Sequence, residues 1–324
     1  MKKLKLLAII FLLFGKNINA QNKIDAIFKL KIEQALISRG DNFPNFRTNK
    51  DSLDIFLFAI HKGFSPADFQ KFTKFSDEKM TRLISLLESK NWLHKINNQY
   101  KPTVFITDAK DGELLYKYAK PISGKITKSI IKNLADIKLQ FGKTEISKTQ
   151  DFQKWSFLIL SNVLLDSWQI NDVEKEFLKQ EDRPLRHGNH YYYRISENTN
   201  AKTESFGIYG NQSEQIDGKD VCVYGNNRLH VQTNSFENLV SKSDNILFEE
   251  IAKNYLPDLL KILESEREYS KKIYTKLGYD KEISFEEFFI WWYHFIYTQA
   301  TDEMHKKGVL TIPVDGNFDF VIEE

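Results

Sequence analysis

The chain has 324 residues, 41% of them hydrophobic, with 46 basic against 44 acidic side chains. That apolar content excludes global disorder and supplies material for one or two cores, in line with a two-domain length. The charge balance excludes a nucleic-acid surface built on the chain total, and a lone cysteine, Cys222, excludes an intramolecular disulfide.

The first twenty residues read as a secretory leader. Lys2, Lys3 and Lys5 precede an unbroken apolar run, Leu6 to Gly15, and "KNINAQ" follows with Ala20 as the last residue removed. The run is about half of what a membrane span needs, so no stable span is expected after cleavage. Ile18 stands where a small residue is usual, which leaves the cut site open. Residues 1–20 hold four lysines and no acid, so the mature chain carries 42 basic against 44 acidic residues.

Residues 21–50 form a polar lead-in, read as a short helix and a loop. Residues 51–122 form the clearest unit. "DSLDIFLFAIHKG" predicts a helix ending at Gly63. "SPADFQKF" predicts a second, with Ser65 as N-cap and Pro66 at the first helical position. A third follows, in which Met80, Leu83, Ile84 and Leu87 recur at amphipathic spacing. "WLHKINNQYKPTVFIT" predicts a hairpin turning at Asn97–Asn98, and "DAKDGELLYKYA" opens another helix.

Carried by "LISLLESKNWLHKI", the Asn97–Asn98 turn and "VFITDAKDGELLY", this order of elements resembles a winged helix-turn-helix domain and is similar to MarR-like regulators. The resemblance is one of layout over about 70 residues, and it implies a recognition helix, a wing and a following helix. The third helix departs from the DNA-reading pattern. Asp77, Glu78 and Glu88 balance Lys79, Arg82 and Lys90, where phosphate contact favours a net positive face.

Residues 123–324 are expected as a helical domain with a small antiparallel sheet. "TKSIIKNLADIKLQF" predicts one amphipathic helix. "WSFLILSNVLL" is apolar all round and predicts burial. Strands are expected around residues 185–236, from "NHYYYRIS", "ESFGIYGNQ" and "KDVCVYGNNRLHV", with turns at the two Gly-Asn pairs and Cys222 buried between valines. Ser284 and Glu287 suggest a capping box on an aromatic helix whose stripe is Phe285, Phe288, Phe289, Trp292 and Ile296. A terminal hairpin around Asp315–Gly316 follows, and with it the option of a second, degenerate winged-helix-like unit.

Candidate chemistry gathers in "RPLRHGNHYYYR". Arg186–Gly188 has the Arg-His-Gly motif of histidine phosphatases, but it follows a charged helix end and a proline instead of an early buried strand. His187, His190 and His230 offer three imidazoles to a divalent metal, without a carboxylate at a metalloenzyme spacing. Arg183, Arg186, Tyr192, Arg194, Arg228 and His230 outline a sheet face able to bind a carboxylate, phosphate or sugar; the alternative is a solvated face with structural ion pairs. On the C-terminal helix, Trp291, His294, Thr298 and Asp302 share a face that reads either as an acid–base fragment or as a core histidine with partners.

The fold expected is α+β and mainly helical. The function expected is an exported, non-catalytic binding or protein-interaction module without a required cofactor, its partner a protein or a small anionic ligand. The alternatives are an exported hydrolase with a histidine-based, metal-assisted site and, if the leader is retained, a winged-helix DNA-binding regulator.

Overall fold

The computed structural model describes residues 24–198, 208–226 and 237–323. The leader at residues 1–20, Arg228 and His230 lie outside the described residues. The protein is α+β and mainly helical, and it divides into two compact units.

The first unit draws on three stretches of chain, 24–109, 182–198 and 278–287. The last two are stretches that sequence reading assigns to the second domain. Strand β1 (Ile32–Ser38) is followed by helices α1 (Leu53–His61), α2 (Pro66–Thr73) and α3 (Asp77–Ser89), then β2 (Leu93–Ile96), β3 (Gln99–Pro102) and β4 (Phe105–Thr107). The second stretch adds β5 (Leu185–Arg186) and β6 (Asn189–Glu197). Ser65 caps α2 in a full capping box with Asp68, and Ser76 caps α3 through the Lys79 amide. Met80, Leu83 and Leu87 are the buried face of α3. Strands β2 and β3 pair through Asn97 and Asn98, both at positive φ (48° and 62°), as a two-residue hairpin turn requires.

The lead-in is corrected. A helical turn at 24–28 is followed not by a loop but by β1, which pairs antiparallel with β6 from Ile32↔Glu197 to Ser38↔Tyr191. "IEQALIS" has no strict apolar alternation, so partner pairing, not local pattern, makes it a strand. Strand β4 lies parallel on the other side of β6. The helices close over this sheet in a core that includes Phe56, Phe69, Leu87, Trp92, Tyr191 and Ile195.

The second unit covers residues 110–181, the described part of 201–277, and 288–323. Helix α4 (Ala109–Phe141) is continuous through Pro121, so the two helices read on either side of residue 122 are one. Helix α5 (Phe152–Phe157) passes into a π-helical stretch, Leu158–Val163, and a second such stretch covers Val173–Phe177. Residues 155–165 are all buried, as expected of "WSFLILSNVLL", and the burial extends to Asp166. Strands β7 (Gly210–Ile216), β8 (Lys219–Gly225) and β9 (Leu239–Val240) precede helices α6 (Lys242–Ser265), α7 (Arg267–Lys276) and α8 (Phe285–Lys306), and β10 (Asn317–Glu323) follows.

The sheet order is β7-β8-β10-β9. The strands expected as one sheet around 185–236 are therefore split, β6 in the first unit and β7–β8 in the second. The two "YGN" elements face each other, with Gly210 opposite Gly225, and the turn sits at Asp217–Gly218 (φ 51° and 75°) rather than at Gly-Asn. Gly225 is also obligatory: a Cβ there would collide with the Gly316 carbonyl oxygen. The terminal hairpin is not formed. Residues 309–314 are not a strand, and β10 runs between β8 and β9, which removes the basis for a second winged-helix-like unit.

Candidate functional site

The "RPLRHGNHYYYR" stretch is a hairpin of β5 and β6. His187 and Gly188 hold its turn at φ 51° and 89°. Alternation along β6 sends Tyr191 and Tyr193 to one face, where the Trp92 indole donates to the Tyr191 hydroxyl (2.9 Å) and stacks near Tyr193 (4.3 Å between centroids). The opposite face carries Tyr192 and Arg194. Arg183 lies 5.7 Å over the Tyr192 ring, and Arg194 pairs with Glu33 at 2.8 Å.

Arg186 is bound most fully. Its guanidinium donates to the carbonyls of Tyr191 (2.8 Å) and Thr103 and to Glu287 Oε2 (2.6 Å). Arg183, Arg186, Tyr192 and Arg194 are all 6% exposed or less. The described part of the expected Arg/Tyr contact face is thus closed to solvent: Arg186 is spent on interior partners, Arg183 packs on the Tyr192 ring and Arg194 reaches Glu33. The expected capping box at Ser284 is half made for the same reason. Ser284 Oγ accepts the Glu287 amide (3.2 Å), while the Glu287 carboxylate goes to Arg186.

The expected histidine set does not assemble in the described residues. His187 is exposed at the turn, and His190 Nδ1 lies 2.7 Å from the Arg183 carbonyl oxygen. Among the described residues no group of three His, Cys, Asp or Glu side chains is arranged to hold a metal ion. On α8, His294 is a core histidine, with Nδ1 2.7 Å from the Ile290 carbonyl oxygen and Nε2 4.0 Å from Asp166. Thr298 accepts the Tyr209 amide, and Asp302 accepts the Tyr209 hydroxyl.

The first unit does hold a site of which sequence reading named one member, Arg186, and passed over the rest. A cleft of about 720 Å³ opens between the β2–β3 hairpin, the β5 strand and residues 280–284. That volume falls in the range of small-molecule sites. Its lip is apolar, with Ile96 46% and Leu185 55% exposed. Its floor includes the Arg186–Glu287 pair.

His94 lines this cleft from β2, directly across the ladder from Lys101. Its Nε2 is shielded from water and has no hydrogen-bond partner. Burial pushes the imidazole below its usual pKa; the Glu282 carboxylate opposes that shift and Lys101 adds to it. Glu282, also on the cleft wall, is held from behind by His61 Nδ1 at 2.7 Å. Two imidazoles thus act on one carboxylate. Within "WLHKINNQY" the only local hint is a histidine in a strand flanking a turn. Beyond the hairpin, the site comes from residues 184–186 and 280–287, far along the chain, which no local pattern reveals.

Compared with family models, with curated proteins and with solved structures, the chain matches none. Among the described residues no helix is long and apolar enough to cross a membrane.

Proposed function

We propose that this is an exported, non-catalytic binding protein that takes a small anionic ligand in the cleft between the β2–β3 hairpin and residues 280–284. One observation carries the reading: the His94 Nε2 atom, buried on the cleft wall with no partner. Buried polar atoms are ordinarily satisfied, and a turn of the imidazole toward the cleft would let a ligand oxygen satisfy this one. Lys101 and Lys281, both on the cleft wall, supply positive charge facing Asp280 and Glu282, and Ile96 and Leu185 supply apolar cover.

The test is a titration of isotope-labelled protein with citrate and with inorganic phosphate, read at the His94 ring. A saturable shift that disappears in Lys101→Ala is expected. A His94 ring that ignores both anions overturns the ligand assignment. Export rests on the leader pattern of residues 1–20 and is tested separately: protein recovered outside the cytoplasm should begin near Gln21.

A second reading has its own support. The His61–Glu282 pair, with His94 electrostatically coupled to the same carboxylate, has the composition of an acid–base set. An exported hydrolase would place His94 as its base. Turnover of p-nitrophenyl esters or phosphates that is abolished in His94→Ala would favour it over the binding protein.

A further inference from the structure

A second cleft, of about 580 Å³, lies elsewhere on the first unit, between the segment before α1 and the exposed side of α3. Its chemistry is two-sided. Leu53 and Leu83 form an apolar floor that Phe46 and Leu86 extend. Around it stand four cations, Arg47, Lys50, Lys79 and Arg82, and one acid, Asp51.

The charges are not mutually spent. Lys79 lies 3.7 Å from Asp51 and 3.6 Å over the Phe75 ring, and Arg82 reaches only a long 3.9 Å contact with Glu78. Arg47 and Lys50 are exposed, and no described side chain pairs with either. Asp51, on the cleft wall, and Ser52, next to it in the chain, both adopt left-handed backbone (φ 53° and 62°) without being glycine. Such strain in consecutive residues is held by the surrounding structure and clusters at binding sites.

We infer that this cleft binds a monomeric amphiphile with an alkyl chain and a phosphate-type head. The floor is apolar, which suits an alkyl chain better than a nucleic-acid backbone. The surplus of cations over Asp51 exceeds what one carboxylate neutralises and suits a head carrying about two negative charges. Arg47 offers forked donors to its oxygens.

Octyl phosphate tests this by calorimetry on the full chain at low salt. In Lys101→Ala, which removes anion binding at the first cleft, one molecule bound per chain is expected, with inorganic phosphate and octanol each about tenfold weaker or more, since each carries only half of the recognition. In Arg47→Gln/Lys50→Gln, whose exposed side chains leave folding intact by circular dichroism, octyl phosphate should weaken by about tenfold. His94→Ala should bind as the parent does, which separates this site from the first cleft. Undiminished binding in the double variant overturns the proposal. So does binding of octanol as tight as octyl phosphate, and so does displacement of octyl phosphate by a short DNA duplex or by phosphatidylglycerol vesicles, which would make the cations a surface for a polymer or a membrane.

Discussion

The two units keep their interiors in order by different means. The first buries ionic pairs, Arg186 with Glu287 and His61 with Glu282, and anchors buried Arg194 on the part-exposed Glu33. The second buries rings and hydroxyls. Phe288 to Tyr297 of α8 is buried throughout, and its interior polar groups are largely short chains such as Ser161 to Thr301 (2.6 Å) and Thr301 to the Tyr297 carbonyl (2.8 Å). Among the described residues its buried charged groups, His294 near Asp166, Asp244 on the Glu145 amide, and Glu174, are not gathered into one hub. Both units join three separate stretches of chain, and in the first a single buried cation touches all of them: Arg186 reaches Thr103 in the first stretch, Tyr191 in its own and Glu287 in the third. A directional buried ion specifies which stretch docks where, whereas packed apolar surface tolerates slippage.

The largest effect should come from breaking that hub. Arg186→Ala leaves Glu287 buried without a counterion and two carbonyls unpaired, at a cost of about 3–5 kcal/mol. Urea unfolding would read it. The sharper version pairs Arg186→Met with Glu287→Leu. If the ion pair sets specificity more than stability, the double variant regains most of the urea midpoint while its amide spectrum shows more than one conformation for the first unit. A double variant with one sharp set of signals would remove the specificity argument.

The second unit should respond to lost volume instead. Leu259 on α6 is fully buried, and Leu259→Ala should cost about 3 kcal/mol through the cavity it leaves. Cavity binding of xenon, with little change in salt or pH dependence, would mark the loss as packing. A strongly salt-dependent loss would show that the contrast between the units is overstated.

Sequence patterns made some of this legible. The α3 stripe, the Ser65 cap, the Asn97–Asn98 turn and the buried 155–165 run are local: each depends on residues within one or two turns. What was not legible is long-range. Strand β1 exists because β6 pairs with it, and the Arg/Tyr face is closed because Glu33 and Glu287 reach it from far along the chain. The His94 cleft combines a hairpin near residue 97 with residues 280–284, and nothing in either segment announces the other. An arginine in a strand looks the same in sequence whether it faces solvent or a buried carboxylate.

A smaller effect separates the units by pH. Burial lowers the His94 pKa from the ordinary 6.5, so the unfolded chain takes up that proton first. The first unit therefore keeps its full stability above pH 6.5 and loses part of it as the pH falls through the lowered value. Asp54 runs the other way. Burial raises it from 3.8 against its bonds to Ile55 and Gln34, so the folded form holds the proton longer and stability falls as pH rises through that window. His94→Gln should flatten the melting temperature between pH 7.5 and 5, and Asp54→Asn should flatten it at lower pH. A profile unchanged by His94→Gln would mean that its burial is relieved in solution.

The smallest perturbation tests the second unit's sheet. Cys222 lies on β8 opposite Ser213 and Phe320, is 3% exposed, and burial pushes its thiol up to about 12. A thiolate is the reacting species, so at pH 8 both access and ionisation oppose reaction with a disulfide reagent. Labelling should be slow in native protein and complete within the mixing time once urea unfolds the unit. Cys222→Ala, which removes one small buried group, should cost about 1 kcal/mol. Labelling in native protein that tracks the unfolding midpoint of Leu259→Ala would place β8 in one cooperative block with α6. Rapid labelling without denaturant would instead mean that the β7–β8–β10 sheet opens locally, and that the second unit's apolar packing ends at the helices.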